Sequence, residues 1–287
     1  MVWYVIIVRP YCQVDYPMIL RSGREGRNER GLSKCFTFVA LASAFCLFAV
    51  PEKAWSVELT ILSPGATEGV LTELIPQFEK ATGHRVKIEY GPVGGLAARV
   101  RKGEPVDVVI LSDSEAERLR TEAHTADGTQ TVVAKVGIGV FVSKGAAKPD
   151  IGTPEAFLSA LSNAKAIAYA DPRLGGSASI LVDKLLRSLD AAGPENERIK
   201  LSPPAKPLVD LVAAGGADFG FQPISQIFLD PRIEYVGPLP ARYQLYTEYV
   251  ASLAASSQHR VPYNELIAFL TSTAATATWK SKGFEPR

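Results

Sequence analysis

From residue 57 onward the apolar positions switch between two rhythms, every second residue and every third or fourth. The segment 57-VELTILSP-64 alternates and predicts a strand. In 67-TEGVLTELIPQFEKATG-83, Val70, Leu71, Leu74, Ile75 and Phe78 share one helical face, with Thr67 placed as N-cap and Gly83 as C-cap. Pro76 within it predicts a kink or a second short segment. A strand over 85–91, a short helix over 94–103, a buried strand over 106–113 and a helix over 114–123 complete the first half. Near-continuous apolar strands alternating with helices are the pattern of a mostly parallel sheet covered on both faces.

The second half repeats this logic. The β-rich run 131-TVVAKVGIGVFVSKG-145 is longer than an ordinary strand, long enough to cross between two domains. Helices are predicted over 154–164, 177–193 and 208–216, and strands over 165–171 and 217–225. Segments 233–240 and 243–255 read as returning strands, and 262–283 as a terminal helix pair. Two α/β halves joined by long extended segments predict a hinged, two-lobed α/β fold with a cleft between the lobes. The expected division is 57–136 and 244–287 for one lobe and 137–243 for the other.

Residues 1–56 differ. A basic stretch, 22-SGREGRNERGLSK-34, precedes the apolar run 35-CFTFVALASAFCLFAV-50, and Ala54-Trp55-Ser56 supplies small residues at alternate positions. That order is a secretory signal peptide with cleavage near Ser56/Val57; the apolar run is shorter than the ~20 residues of a spanning helix. The expectation is therefore export to the periplasm. Cys12, Cys35 and Cys46, the three cysteines of the chain, all fall in this part. A mature chain starting at Val57 would have no thiol, which excludes disulfides, cysteine-ligated metals and cysteine nucleophiles. Lys and Arg total 31 against 30 Asp and Glu, and no long block of like charge suggests nucleic acid as a partner.

Candidate chemistry gathers in four loops between a strand and a helix: 63-SPGAT-67, 91-GPVGG-95, 171-DPRLGGSAS-179 and 222-QPISQ-226. In open α/β sheets ligands collect at such loops, where glycine lets backbone approach and helix N-termini present free N–H groups. Turn chemistry alone also produces Gly and Ser here. Ser63, Ser177, Ser179 and Gln222 are the neutral side-chain donors. Arg99, Arg173 and Lys206 are cations near the same loops, and Tyr90, Tyr169, Phe219 and Phe221 are aromatic neighbours, with core packing the expectation for the two Phe. His84, His124 and His259 fall in turn or loop contexts expected to be exposed, without metal-ligand spacing, so no metal or cofactor is expected. No Gly-x-Ser-x-Gly elbow occurs. Asp113 and Asp171 end strands at the cleft edge, as bases or as caps of the following helix.

Residues 59–113 resemble the opening of the periplasmic molybdate-binding proteins, and the likeness continues through 166-AIAYADPRLGGSASILVDKLL-186, 213-AAGGADFGFQPIS-225 and 236-VGPLP-240. The resemblance implies the type II periplasmic binding protein fold, supply of an anion to an ABC transporter permease, and a monomer. In that family neutral hydroxyls and backbone N–H groups hold the oxyanion. Here the matching positions carry Ala66, 92-PVGG-95 and Pro223 in place of hydroxyls. The implied ligand edge is then Ser63, Gly65, Ala66, Gly94, Gly95, Gly176, Ser177, Ser179, Gln222 and Pro223, for a small oxyanion or organic carboxylate. A periplasmic isomerase acting on a small tricarboxylate is the alternative on the same scaffold.

Overall fold

The computed structural model describes residues 56–190, 197–203 and 207–285. The signal segment expected before residue 56, and Lys206, lie outside the described residues. Among the described residues the strands are β1 (Glu58–Pro64), β2 (Arg85–Gly91), β3 (Val108–Ser112), β4 (Thr131–Ser143), β5 (Ile167–Ala170), β6 (Ile199–Ser202), β7 (Phe219–Pro223), β8 (Ile233–Pro238), β9 (Tyr246–Leu253) and β10 (Phe284–Glu285). Between them run α1 (Glu68–Thr82), α2 (Val93–Arg101), α3 (Asp113–Thr121), α4 (Pro154–Asn163), α5 (Ser177–Ser188), α6 (Leu208–Ala213), α7 (Ile224–Ile227), α8 (Arg260–Leu270) and α9 (Thr273–Ser281).

Strand order is β2-β1-β3-β9-β4-β7-β5-β6, with β8 and β10 also pairing β4. The β2-β1-β3 and β6-β5-β7 triplets are parallel. The strands between them are antiparallel, since β9 runs against both β3 and β4, and β4 against β7. Strand β4 is the seam: Thr131–Gly137 pair with β9, and Ile138–Phe141 with β7. The core follows the same division. One cluster joins residues between Leu59 and Val136 to Tyr249–Phe284, and two others draw on residues between Ile138 and Leu239. The fold is the two-lobed, mixed α/β arrangement that the apolar pattern predicts.

Local differences have clear causes. Helix α1 carries Pro76 without breaking into two, and its buried stripe is Val70, Leu71, Leu74, Ile75 and Phe78. Gly83 ends it at φ 78°. Thr67 is not a side-chain cap, because its hydroxyl donates to the Pro64 carbonyl at 2.8 Å. Strand β6, in the stretch 198–207, has no clear period-2 pattern and is not evident from the sequence; backbone pairing to β5 creates it.

Asp107 ties the first lobe together. Its Oδ2 accepts from the Thr60 N–H at 2.9 Å and the Thr60 hydroxyl at 3.0 Å, and its Oδ1 from the Ser257 hydroxyl at 2.7 Å. The His259 Nδ1 lies 3.0 Å from the same Oδ1. Burial pushes this carboxyl up, but these bonds and the His259 charge outweigh it, so its pKa lies below the ordinary carboxylate value. A depressed folded-state pKa stabilises the fold above the unfolded value, near ~3.9, and that contribution disappears as pH falls through the folded value. Asp107→Asn is expected to cost about 1–3 kcal/mol at pH 7. Urea unfolding between pH 7 and pH 2 should show the gap to wild type narrowing below about pH 4; a constant gap would contradict this assignment.

Candidate functional site

The loops after β1, β2, β5 and β7 lie at one end of the two parallel triplets, around a cavity of about 600 Å³. Pro64, Gly65, Ala66 and Glu68 form one wall, and Gly91, Pro92 and Val93 another. Across from them stand Asp171, Gly176, Ser177, Ala178 and Ser179, with Gln222 and Pro223 beyond. Three helices, α1, α2 and α5, begin at these walls, so their first N–H groups and positive dipole ends converge on one volume. The Gln222 side chain is the sharpest feature. It is 8% exposed, lines the cavity, and its Nε2 has no partner among the described residues. A buried amide N–H without an acceptor costs about 1–3 kcal/mol, which an anionic ligand oxygen would relieve.

The expected edge is brought together in part. Gly65, Ala66, Gly176, Ser177, Ser179, Gln222 and Pro223 line the cavity. Ser63 does not: it is fully buried, with its hydroxyl 2.6 Å from that of Thr67, bracing the loop from within. Gly94 and Gly95 also stand off the lining, in the first turn of α2. Gly94 joins the two lobes instead. Its N–H donates to the Gly175 carbonyl at 3.0 Å, and a side chain placed on it would meet the Gly175 Cα at 3.1 Å. Gly175 itself adopts φ 75°, a left-handed conformation that favours glycine.

Neither cation expected near the cleft, among the described residues, lines it. Arg99 is held by Glu89 at 2.6 Å and by Glu104. Arg173 points outward, 83% exposed, with its guanidinium on the Asp171 carboxylate. That guanidinium holds the Asp171 carboxyl below the usual range, so the carboxylate is already engaged and is a poor base. Asp171 also accepts the Arg173 N–H at 2.9 Å and caps the turn Pro172–Leu174, the second of its two sequence readings. Asp113 opens α3 on the surface and does not line the cavity. Tyr169 is buried and donates to Asp183 at 2.7 Å; Phe221 lines the cavity, whereas Phe219 and the half-buried Tyr90 pack in the cores. His84 is not exposed as its turn suggests: it is buried, 2.8 Å from Glu265. No metal-holding cluster of His, Cys, Asp and Glu occurs among the described residues.

Several lining residues had no individual sequence signal. Asp230 sits in 230-DPR-232, the same tripeptide as 171-DPR-173, and the two Asp–Arg pairs adopt matching geometry. Repetition of that tripeptide was the available clue. Tyr249 enters from β9 of the other lobe, 2% exposed, with the Ser177 hydroxyl beside its phenol oxygen. Burial pushes this phenol up to about 12, so it stays protonated and able to donate at neutral pH.

Residues 59–285 match the family model for bacterial extracellular solute-binding proteins. The chain belongs to this family. Among relatives of this solute-binding protein, aconitate isomerase of a Pseudomonas species is 32% identical over 251 residues, covering 86% of this chain and 93% of that protein. Molybdate-binding protein ModA of Azotobacter vinelandii is 28% identical over 166 residues, 57% of this chain and 63% of that one. The solved Azotobacter vinelandii periplasmic molybdate-binding protein superposes with a TM-score of 0.66 at 23% identity, covering 80% of this chain and 99% of that chain. The solute-binding protein thus has the type II periplasmic binding protein fold, and its cavity lies between the lobes, as in the architecture the resemblance implied.

Proposed function

We propose that the chain is the exported capture component of an ABC-type importer, holding a small anion between lobes formed by 57–136 with 244–287 and by 137–243. Its partner would be the importer's permease, and the signal segment, cleaved near Ser56/Val57, would deliver a monomer to the periplasm. The ligand edge is Gly65, Ala66, Gly176, Ser177, Ser179, Gln222 and Pro223, with Ser63, Gly94 and Gly95 shaping the loops that carry it. One observation carries this reading: the Nε2 of Gln222, without a partner among the described residues, buried at a cavity on which the N-termini of α1, α2 and α5 converge. Neutral donors bind an anion without a counter-charge because peptide dipoles supply the positive potential.

The second reading, an isomerase of a small tricarboxylate, is favoured by the relative matched over 86% of the chain. Its proton carrier would not be Asp113 or Asp171, for the reasons of position and pairing given above. A thermal-shift screen over oxyanions and small carboxylates tests both readings. A ligand at 100 times its Kd should add about 2.7 kcal/mol, a rise of roughly 5–11 °C for a chain of this size. NMR of the mixture then separates capture, with the ligand returned unchanged, from conversion. No shift with any anion would contradict both.

A further inference from the structure

The cavity lining combines two kinds of surface, hydrogen-bond donors and carbon. Its donors include the Gln222 amide, the Ser177 hydroxyl and the Tyr249 phenol. Much of the remaining surface is carbon: Val93, Leu174, Leu208, Val209 and Phe221 line it, four of them less than 10% exposed, beside Glu68 and the Asp171 and Asp230 carboxylates, each of the two Asp held by its own arginine. A tetrahedral oxyanion presents oxygen in every direction. Pressed against such a surface, its outward oxygens would lose water and gain no donor. Size argues the same way. At ~30 Å³ per water, an oxyanion displaces on the order of 100 Å³, against a cavity of about 600 Å³. That volume falls in the range of ~300–1,000 Å³ typical of organic-ligand sites.

Resting on the anion-cleft reading, we propose that the site selects an organic carboxylate over a tetrahedral oxyanion. Tyr249 reads the carboxylate head together with Ser177 and Gln222, and Val209 and Phe221 carry the carbon skeleton. Tyr249 is then a specificity-determining residue supplied by the lobe opposite α5. Its hydroxyl replaces a donor that Pro223 cannot supply.

Isothermal titration of the chain from Val57 with molybdate, acetate, succinate, tricarballylate and hexanoate tests this. The tightest of the last three should bind at least 10-fold more strongly than molybdate, with acetate, a head without a skeleton, among the weakest. Tyr249→Phe should weaken that probe roughly 10- to 100-fold, while its unfolding midpoint without probe stays near wild type. Val209→Phe, which crowds the carbon part of the lining, should weaken the longer carboxylates more than acetate. Molybdate binding as tightly as the best carboxylate overturns the inference and leaves the anion-cleft reading standing. So does full affinity in Tyr249→Phe, or an equal loss of stability with and without probe. Binding of no probe overturns both.

Discussion

Gly94→Val is expected to leave both lobes folded and to cost most of the ligand affinity. Gly94 occupies the first turn of α2, and a side chain there points at the Gly175 backbone, 3.1 Å from its Cα and 3.4 Å from its carbonyl oxygen. Backbone cannot rotate out of the way as a side chain can. The added isopropyl group can be accommodated only by separating the two loops, which opens the cleft and breaks the Gly94 N–H to Gly175 carbonyl bond. Apparent affinity falls in proportion to the fraction of molecules still able to close. If that fraction drops to about 1%, affinity drops about 100-fold. Titration of the variant and wild type with the tightest probe, beside their melting curves, reads both halves of the expectation. Unchanged affinity would mean that the lobes do not need this contact.

Gly220→Ala is expected to destabilise the chain by the upper part of the ~1–3 kcal/mol typical of overpacking. Gly220 lies in β7 opposite Phe141 of β4, where a Cβ would sit 2.5 Å from the Phe141 Cζ and 2.7 Å from Cε1. Phe141 is fully buried, with Val212 closing the other side at 3.1 Å from the same position, so the ring has little room to turn. Phe141→Leu alone should also destabilise, by leaving a cavity. Together the two changes should cost less than their sum, because the space opened by one receives the methyl group of the other. Urea unfolding of the two single variants and the double variant measures the coupling. Strict additivity would contradict the packing described.

The apolar rhythm made the architecture legible because β3, β5 and β7 are buried almost throughout and the helices bury one face. The long run 131–145 pointed to a crossing between domains, and β4 pairs with β9 up to Gly137 and with β7 from Ile138. The cavity lining was legible where it is made of loop backbone, since Gly65 and the Gly176–Ser179 turn stand out as glycine and serine between a strand and a helix. It was not legible where a residue acts through tertiary position. Tyr249 sits in an ordinary strand, 243-YQLYTEYVASLAA-255, and only the fold places it opposite Ser177. Ser63 failed for the converse reason: its loop is correct, but the Thr67 hydroxyl draws its side chain inward. Nearness in sequence also placed Arg99 by the cleft, whereas Glu89 and Glu104 hold it on the outer surface.

The proposed function requires one anion to be held where α1, α2 and α5 begin. Amide hydrogen exchange of the chain from Val57, with and without a saturating concentration of the best-stabilising anion, tests it directly. Exchange should slow together at 65–68, 93–96 and 176–179, in both lobes at once, and the Gln222→Leu variant should show little of that protection. Slowing confined to one lobe, or centred on the surface around His84 and Glu265, would contradict a site between the lobes.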